Sequence, residues 1–303
     1  KQTNNSRFKN AIIAVGEDIR GGQRISDSLA KYPKAFDTLY VSMVRSGDSA
    51  GNLTEVLKLL ADHLQKEHDL RARVRGALMY PSVIVVAMGG IGALMMTMVV
   101  PKIAAIFKDL NTDLPFLTKV IIGLSDFISA YWPFIFISTP AFIYAFKKLL
   151  DTNMGKRGFA WLLLQAPVFS ALTRKINSAR FARTMSSLVD GGVPILEGIL
   201  ITRDTLGNVY YRESLDRMYK DVKGGKPLFE SISKFENIYP SLITQMVRVG
   251  EESGALSDVL ARIAEFYEEE VDNATKNLSS IIEPILMLII GAIVGIFAIS
   301  MIQ

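Results

Sequence analysis

The chain has no cysteine, and only two histidines and two tryptophans among its 303 residues. Without cysteine there is no disulfide, no thiol nucleophile and no cysteine-held metal, a composition that fits a reducing compartment. His63 and His68 are five apart, so they do not share a helix face as an i,i+4 zinc pair would. With Asp62 and Glu67 beside them they read most simply as a solvated face. There is no Gly-x-x-x-x-Gly-Lys-Ser/Thr phosphate loop. Lys226 follows Gly224-Gly225 but is itself followed by Pro227. No Ser/His/Asp, Cys/His or metal set converges. The chain is therefore not read as an enzyme, no cofactor is expected, and any power source must come from a partner. No secretory signal is expected either, because the first apolar run begins only after about 80 residues of polar chain. Strand-and-hairpin series are also missing.

Half of the residues are hydrophobic, and the excess lies in three stretches. Residues 82–100 and 285–302 carry no charge. Tyr131–Phe146 is aromatic and becomes span-length if it begins near Phe127. About 20 apolar residues cross a bilayer as a helix. Neither outer stretch shows the polar stripe that a helix on a protein surface would show. The net charge of +4 matters less than its placement. Arg71, Arg73 and Arg75 precede the first span and Lys147 and Lys148 follow the second, which marks the cytoplasmic side. The stretch between holds Lys102, Lys108 and Lys119 against Asp109, Asp113 and Asp126. Orientation and anionic lipid account for the basic charge, and nucleic acid is an unnecessary reading.

The chain also repeats itself at an offset of 203 residues. Gly21-Gly22, Met43-Val44-Arg45, Gly47, Gly51, Leu53, Val56, Leu57 and Pro81 reappear, without a gap, as Gly224-Gly225, Met246-Val247-Arg248, Gly250, Gly254, Leu256, Val259, Leu260 and Pro284. Asp18/Asp221, Lys31/Lys234, Glu67/Glu270 and Gly92/Gly295 share the frame. So long a period is a duplicated domain, not a solenoid unit. Each copy runs straight into an apolar segment.

The periodicity inside the copies is helical. In the second, Phe181, Met185, Leu188 and Val189 recur at helical spacing up to the Gly191-Gly192-Val193-Pro194 break, where glycine suits the C-cap and proline the next first turn. Helices are expected over 195–206, 210–222, 228–234 and 241–249, then a loop Gly250–Gly254 and a long helix from Leu256. The first copy reads as a helix to Ile19, then 26–31, 36–46, a loop Gly47–Gly51 and a long helix from Leu53. Asn52 with Glu55 reads as a capping box. Leu53, Leu57, Leu60 and Leu64 are expected to face the core, and Pro81 and Pro284 to kink the membrane entries. The block 174–203 has no counterpart in the first copy; its copy would precede residue 1. With a first residue other than Met, the chain is expected to be N-terminally incomplete.

These residues resemble the type II secretion system F family, the inner-membrane platform proteins of type IV pili, type II secretion systems and competence pseudopili. The resemblance rests on Gly250-Glu251-Glu252-Ser253-Gly254-Ala255-Leu256, Tyr80-Pro81, Glu283-Pro284, Ala179–Thr184 and Gly191–Pro194, and covers essentially the whole chain. It implies an all-α membrane protein with two homologous cytoplasmic helical bundles and three transmembrane helices, self-associated as a homo-oligomer. It also implies docking to a hexameric cytoplasmic assembly or retraction ATPase, with pilin or pseudopilin subunits and inner-membrane alignment proteins as further partners. The first copy departs from the motif: Asp48 stands where Glu is usual, and Ala50 where Ser is.

The domains expected are a first bundle at 1–77, spans at 78–100, 127–146 and 281–303, an external loop at 101–126 and a second bundle at 147–280. In a bacterial inner membrane this places the N-terminus in the cytoplasm and the C-terminus outside. The partner-contact candidates are Gly47, Asp48, Gly51, Gly250, Glu251, Glu252 and Gly254; a plain helix connection is the competing reading. Glu268-Glu269-Glu270 reads as a solvated face or an acidic contact. Pro81, Glu283, Pro284, Gly291 and Gly295 are membrane-packing candidates. Glu283 suits interfacial exposure or a basic partner, and Gly291-x-x-x-Gly295 a close helix approach. The function expected is a pilus-assembly platform, with the equivalent secretion subunit as the alternative. A transporter or channel subunit is the reading from another class, for which the spans offer a poor polar lining.

Overall fold

The computed structural model describes residues 6–109 and 116–302. Among these residues every regular element is helical. The first copy comprises α1 (Ser6–Arg20), α2 (Ile25–Ala30), α3 (Thr38–Ala50) and α4 (Leu53–Leu94). A π-helical turn, Met95–Val99, leads into α5 (Val100–Asp109). Then follow α6 (Phe116–Asp151), α7 (Asn153–Gln165), α8 (Pro167–Asp190) and α9 (Ile195–Thr205). The second copy continues with α10 (Val209–Lys223), α11 (Leu228–Ser233), α12 (Ser241–Ser253) and α13 (Leu256–Ile302). The 203-residue offset carries both ends of α1, α2 and α3 onto those of α10, α11 and α12, and the start of α4 onto that of α13.

The repeat is kept because its corners are built alike. After α1, the Gly22 N–H bonds the Ile19 carbonyl (3.0 Å) and the Gln23 N–H that of Asp18 (3.0 Å). After α10, Gly225 bonds Val222 (3.0 Å) and Lys226 bonds Asp221 (3.1 Å). This paired closure needs a left-handed residue at its centre, and both glycines have φ of 86°. The side chains repeat as well: Lys31 Nζ meets Asp18 at 2.8 Å and Lys234 Nζ meets Asp221 at 2.5 Å.

The glycine-rich segments expected as loops at 47–51 and 250–254 are instead the last turns of α3 and α12. Gly51 and Gly254, at φ of 75° and 71°, end those helices. Gly47 and Gly250 are helical because the next helix presses on them. A methyl at Gly47 would stand 2.8 Å from Val56 Cγ2, and one at Gly250 3.1 Å from both Leu256 Cα and Val259 Cβ. At Asn52 it is the backbone carbonyl that receives the Glu55 N–H, at 3.0 Å.

The bundles lie in one compact unit, residues 1–72 with 156–273; residues 73–155 with 274–303 form a second. In the first unit α8 supplies core to both copies. Phe181, Met185 and Leu188 are fully buried, and Phe181, Tyr239 and Tyr211 stack edge to face. Leu188, Val193 and Ile201 also join the core of the first copy with Leu39, Met43, Val44, Val56 and Leu60. A core-facing stripe of Leu53, Leu57, Leu60 and Leu64 is therefore not what forms. Leu57 and Leu64 are exposed, while Val56, Leu60, His63 and Leu70 are buried. Their repeat partners Leu260 and Tyr267 are buried. The α4 face turned inward is the one that meets Leu188, a rotation that spacing alone does not encode.

Among the described residues, two helices are long and apolar enough to cross a membrane, over Leu53–Ala105 and Leu256–Ala292. Only 6% and 20% of their apolar windows are buried, so these side chains turn outward, as they do in lipid but not in a water-soluble core. α4 and α13 continue through Pro81 and Pro284. The expected span 127–146 lies within α6, which also contains Pro133 and Pro140. Thr97 Oγ1 donates to the Ala93 carbonyl (2.9 Å) at the π turn, and buried Ser125 of α6 donates to the Met96 carbonyl. Such bonds serve backbone groups that a π turn leaves without their usual partners.

Gly47→Ala should lower the apparent Tm of the detergent-solubilised chain, at a cost of about 1–3 kcal/mol for the overpacked crossing. Gly16→Ala is the control. Nothing lies within 4 Å of its added methyl, so removing a mid-helix glycine there should raise the Tm, by about 0.5–1 kcal/mol in stability. Differential scanning fluorimetry of both variants checks the opposite signs.

Candidate functional site

The candidate contact residues cluster at the ends of α3 and α12, and the two ends differ. Glu251 turns inward. Its Oε1 accepts the Leu228 N–H at 2.7 Å and its Oε2 the Phe229 N–H at 3.1 Å. These are free donors of the first turn of α11, so the carboxylate closes a helix N-terminus within its own module. Arg248, one turn earlier, lies over the Phe229 ring at 4.6 Å. Asp48, one methylene shorter, stands exposed on the surface. In that copy the link to α2 is a longer ion pair, Arg45 to Asp27 at 3.5 Å. Gly47, Gly51, Gly250 and Gly254 shape the corners from within. Asp48 and Glu252 are the exposed carboxylates of the set.

The acidic run on α13 is not a plain solvated face. Glu268 receives Arg183 in a two-point pair, Nε–Oε1 at 2.7 Å and Nη2–Oε2 at 3.0 Å, with both side chains less than 15% exposed. Glu270 meets Lys175 at 2.7 Å, and of the three only Glu269 is exposed. One turn from Arg183, Arg180 reaches across to Glu67 of α4 at 3.0 Å, and Glu67 also holds Arg71 at 2.6 Å. Adjacent arginines of α8 thus bind the long helices of both copies. The repeat pairing of Glu67 with Glu270 was the sequence signal for this, since both receive a cation from α8.

His63 also departs from the solvated reading. It lies in a cleft of about 280 Å³ lined by Asp37, Glu67, His68, Arg71, Arg180 and Thr184, and only 8% of it is exposed. Ser187 Oγ donates to the Arg183 carbonyl at 2.9 Å, so it accepts from His63 Nδ1 at 3.1 Å. That fixes the Nδ1–H tautomer when the ring is neutral. Burial pushes the His63 pKa below its ordinary value. Glu67, Asp37 and Asp62 oppose this shift and Arg183 reinforces it.

Among the membrane-packing candidates, Glu283 is exposed. Among the described residues, a methyl at Gly291 or Gly295 would meet nothing within 4 Å. Gly92, Met88, Ile91, Met95, Ile290 and Val294 border an apolar groove of about 300 Å³ in the second unit. No group of three or more His, Cys, Asp or Glu able to hold a metal occurs among the described residues.

A duplicated helical module, each copy ending in a helix that turns apolar at membrane length, defines a helical membrane protein built by repetition. Residues 1–101 and 181–303 match the family described as Type II secretion system (T2SS), protein F, and the two matched stretches follow the repeat. The chain is 36% identical over 301 residues to the type IV pilus assembly protein PilC of Thermus thermophilus, covering 99% of this chain and 74% of that protein. It is 30% identical to PilC of Pseudomonas aeruginosa, over 98% and 79% of the two chains. Against the type II secretion system protein F of Aeromonas hydrophila it is 29% identical, over 100% and 78%. The chain belongs to the T2SS protein F family, a family of membrane proteins.

Two predictions follow from this geometry. Glu251→Gln should lower the apparent Tm by about 1–3 kcal/mol in stability, because a charged acceptor is removed from two backbone donors; Asp48→Asn should be silent in the same scan. The second concerns acid. The unfolded histidine titrates near ~6.5 and the folded one lower, so below that pH the unfolded chain binds the proton that the native state resists. The share of stability owed to neutral His63 is present above this range and is lost as pH falls through the folded pKa. His63→Asn, which keeps a donor for Ser187, should flatten the Tm-against-pH curve between about 6.5 and the folded value.

Proposed function

We propose that this chain is the inner-membrane platform of a type IV pilus assembly machine, coupling a hexameric cytoplasmic ATPase to the extraction and insertion of pilin subunits. The observation that carries the reading is the repeat at atomic detail. The same corner, built twice, launches two helices that each become apolar at membrane length. A scaffold that uses one module twice has a means of transmitting movement from a cytoplasmic motor to the bilayer. The 36% identity to the Thermus thermophilus PilC, against 29% to the secretion protein F of Aeromonas hydrophila, favours the pilus over secretion.

In this reading three spans, at 78–100, 127–146 and 281–303, place both bundles in the cytoplasm and the C-terminus outside. The basic clusters at Arg71–Arg75 and Lys147-Lys148 support that orientation. The platform is not itself an enzyme. Its ATPase-facing surface includes Asp48 and Glu252, and copies of the chain associate in the membrane through the Gly291/Gly295 face. Pilin or pseudopilin subunits and the alignment proteins are its other partners.

Deleting the gene should abolish surface pili while leaving the export of a secreted hydrolase intact. Normal piliation with lost secretion would reverse the choice of system. In a pull-down from detergent, the Asp48→Lys, Glu252→Lys double variant should weaken capture of the assembly ATPase by about tenfold or more, roughly 1.4 kcal/mol. Undiminished capture would remove the acidic surface from the contact.

A further inference from the structure

The first module meets α8 and α9 through one face. Leu39 and Met43 of α3 are buried there with Leu188, Val193 and Ile201. The corner between α8 and α9 is kept free of side chains. A methyl at Gly191 would stand 3.1 Å from Met43 Cε, and one at Gly192 3.2 Å from Ser46 Oγ. His63 of α4 completes the face through its bond to Ser187. Leu39, Met43 and Ser46 follow helical spacing, so they form one stripe of α3.

The same face recurs 203 residues on in the second module, within the same compact unit. There it is left open among the described residues. Leu242, Val249 and Phe266 are 37%, 55% and 46% exposed, and Met246 is only partly buried. Apolar side chains scattered singly on a surface need no explanation, but these four are the counterparts of an interface. Two are also more apolar than their covered twins, since Val249 stands for Ser46 and Phe266 for His63. A face meant for water has no reason to hold apolar groups where its covered twin holds polar ones.

The twin interface defines the occupant. Met246 and Val249 call for a partner without side chains at closest approach, as Gly191 and Gly192 are for Met43 and Ser46. Phe266 has no hydrogen-bonding group, so no counterpart of Ser187 is needed. Nor is one of Arg180, because Glu270 already holds Lys175. The corner at Gly191-Gly192 is itself filled by the first module, in this chain and in any second copy of it. The first module is open at a matching place. Leu57 and Leu64 are exposed where Leu260 and Tyr267 are buried, on the helix that α8 holds through the Ser257 carbonyl and Glu268. One further corner fits both open faces, just as α8 and α9 serve both modules. The relatives have the length to supply it, since the chain covers 74% and 79% of the two PilC proteins.

We propose that Leu242, Met246, Val249 and Phe266 are the docking surface for a second helical corner with paired glycines, the counterpart of 174–203 that the repeat frame places ahead of Lys1. Each module then lays its face on the other's corner, and the pair closes about an approximate two-fold axis. The second contact is drier than the first and needs no ion pair. The inference depends on neither the choice of system nor the membrane spans.

Photo-crosslinking identifies the occupant. The gene product is made from its own start codon in its own membrane, with photoreactive benzoylphenylalanine in place of Phe266. A control carries it in place of His68, which lines a cleft with Arg180 and Thr184 and should capture α8. The probe at Phe266 should capture residues ahead of Lys1 within the same polypeptide, read by mass spectrometry of the monomer band. Val249→Lys puts an unpaired charge into the contact and should lower that capture at least about tenfold. Val249→Ser, the residue of the first copy, should keep it. Val249 is exposed in this structure, so neither variant strains the fold. Capture of a second copy, seen as a dimer band, or of another protein would overturn the proposal. A silent probe at Phe266 beside a working one at His68 would do the same, as would capture that Val249→Lys leaves unchanged.

Discussion

The close crossing at Gly47 and Gly250 is the constraint on which the modules depend. At each, the next helix passes so near that a side chain at the glycine has no room. The crossing works only with a two-residue link and a left-handed glycine, Gly51 or Gly254, to reverse the chain. It fixes the start of α4 and α13 and the face each turns to its bundle. A loop of ordinary flexibility would leave that face free.

What binds the two modules into one unit is different and lies outside the corners they share. α8 carries Lys175, Arg180 and Arg183 on successive turns. Lys175 and Arg183 engage Glu270 and Glu268 of α13, and Arg180 engages Glu67 of α4. The Arg183–Glu268 pair is mostly buried and two-pronged, so removing one partner would strand a charge at high cost. Arg180–Glu67 is more open and correspondingly weaker. Leu188 adds an apolar contact on the α4 side and Ser187 a hydrogen bond to His63. The second copy holds α8 more firmly than the first does.

This asymmetry explains which features were legible in the sequence. Features governed by local chain geometry could be read: the repeat, the order of helices within each copy, and the Gly-Gly and Gly-Asn/Ala corners, whose glycines serve positive φ. Within the two copies, helix ends were legible to within a few residues, except at Gly47–Ala50 and Gly250–Ser253; between them α5 and α7 were not read, and α6 begins at Phe116, inside the expected external loop. There glycine and acidic residues suggest a loop, but close packing keeps the backbone helical. Features that depend on another part of the chain could not be read. Leu57 and Leu64 follow the same spacing as Leu60, and only the position of Leu188 decides which of them is covered. His63 looks solvated beside Asp62 and Glu67 until Ser187, 124 residues away, closes over it. Glu251 looked like a surface contact because the N–H groups it serves belong to a helix more than 20 residues earlier.

The difference between Asp48 and Glu251 then has a physical meaning. A glutamate reaches the first turn of the preceding short helix and spends its charge there. An aspartate at the same place is a methylene short, so its charge remains on the surface. One substitution within an otherwise shared corner therefore turns an internal cap into an external carboxylate without altering the backbone. The glycines around it hold both corners to one geometry, and only the acidic position between them is free to differ. Duplication in this protein has kept the parts that launch the long helices and released the part that can face a partner.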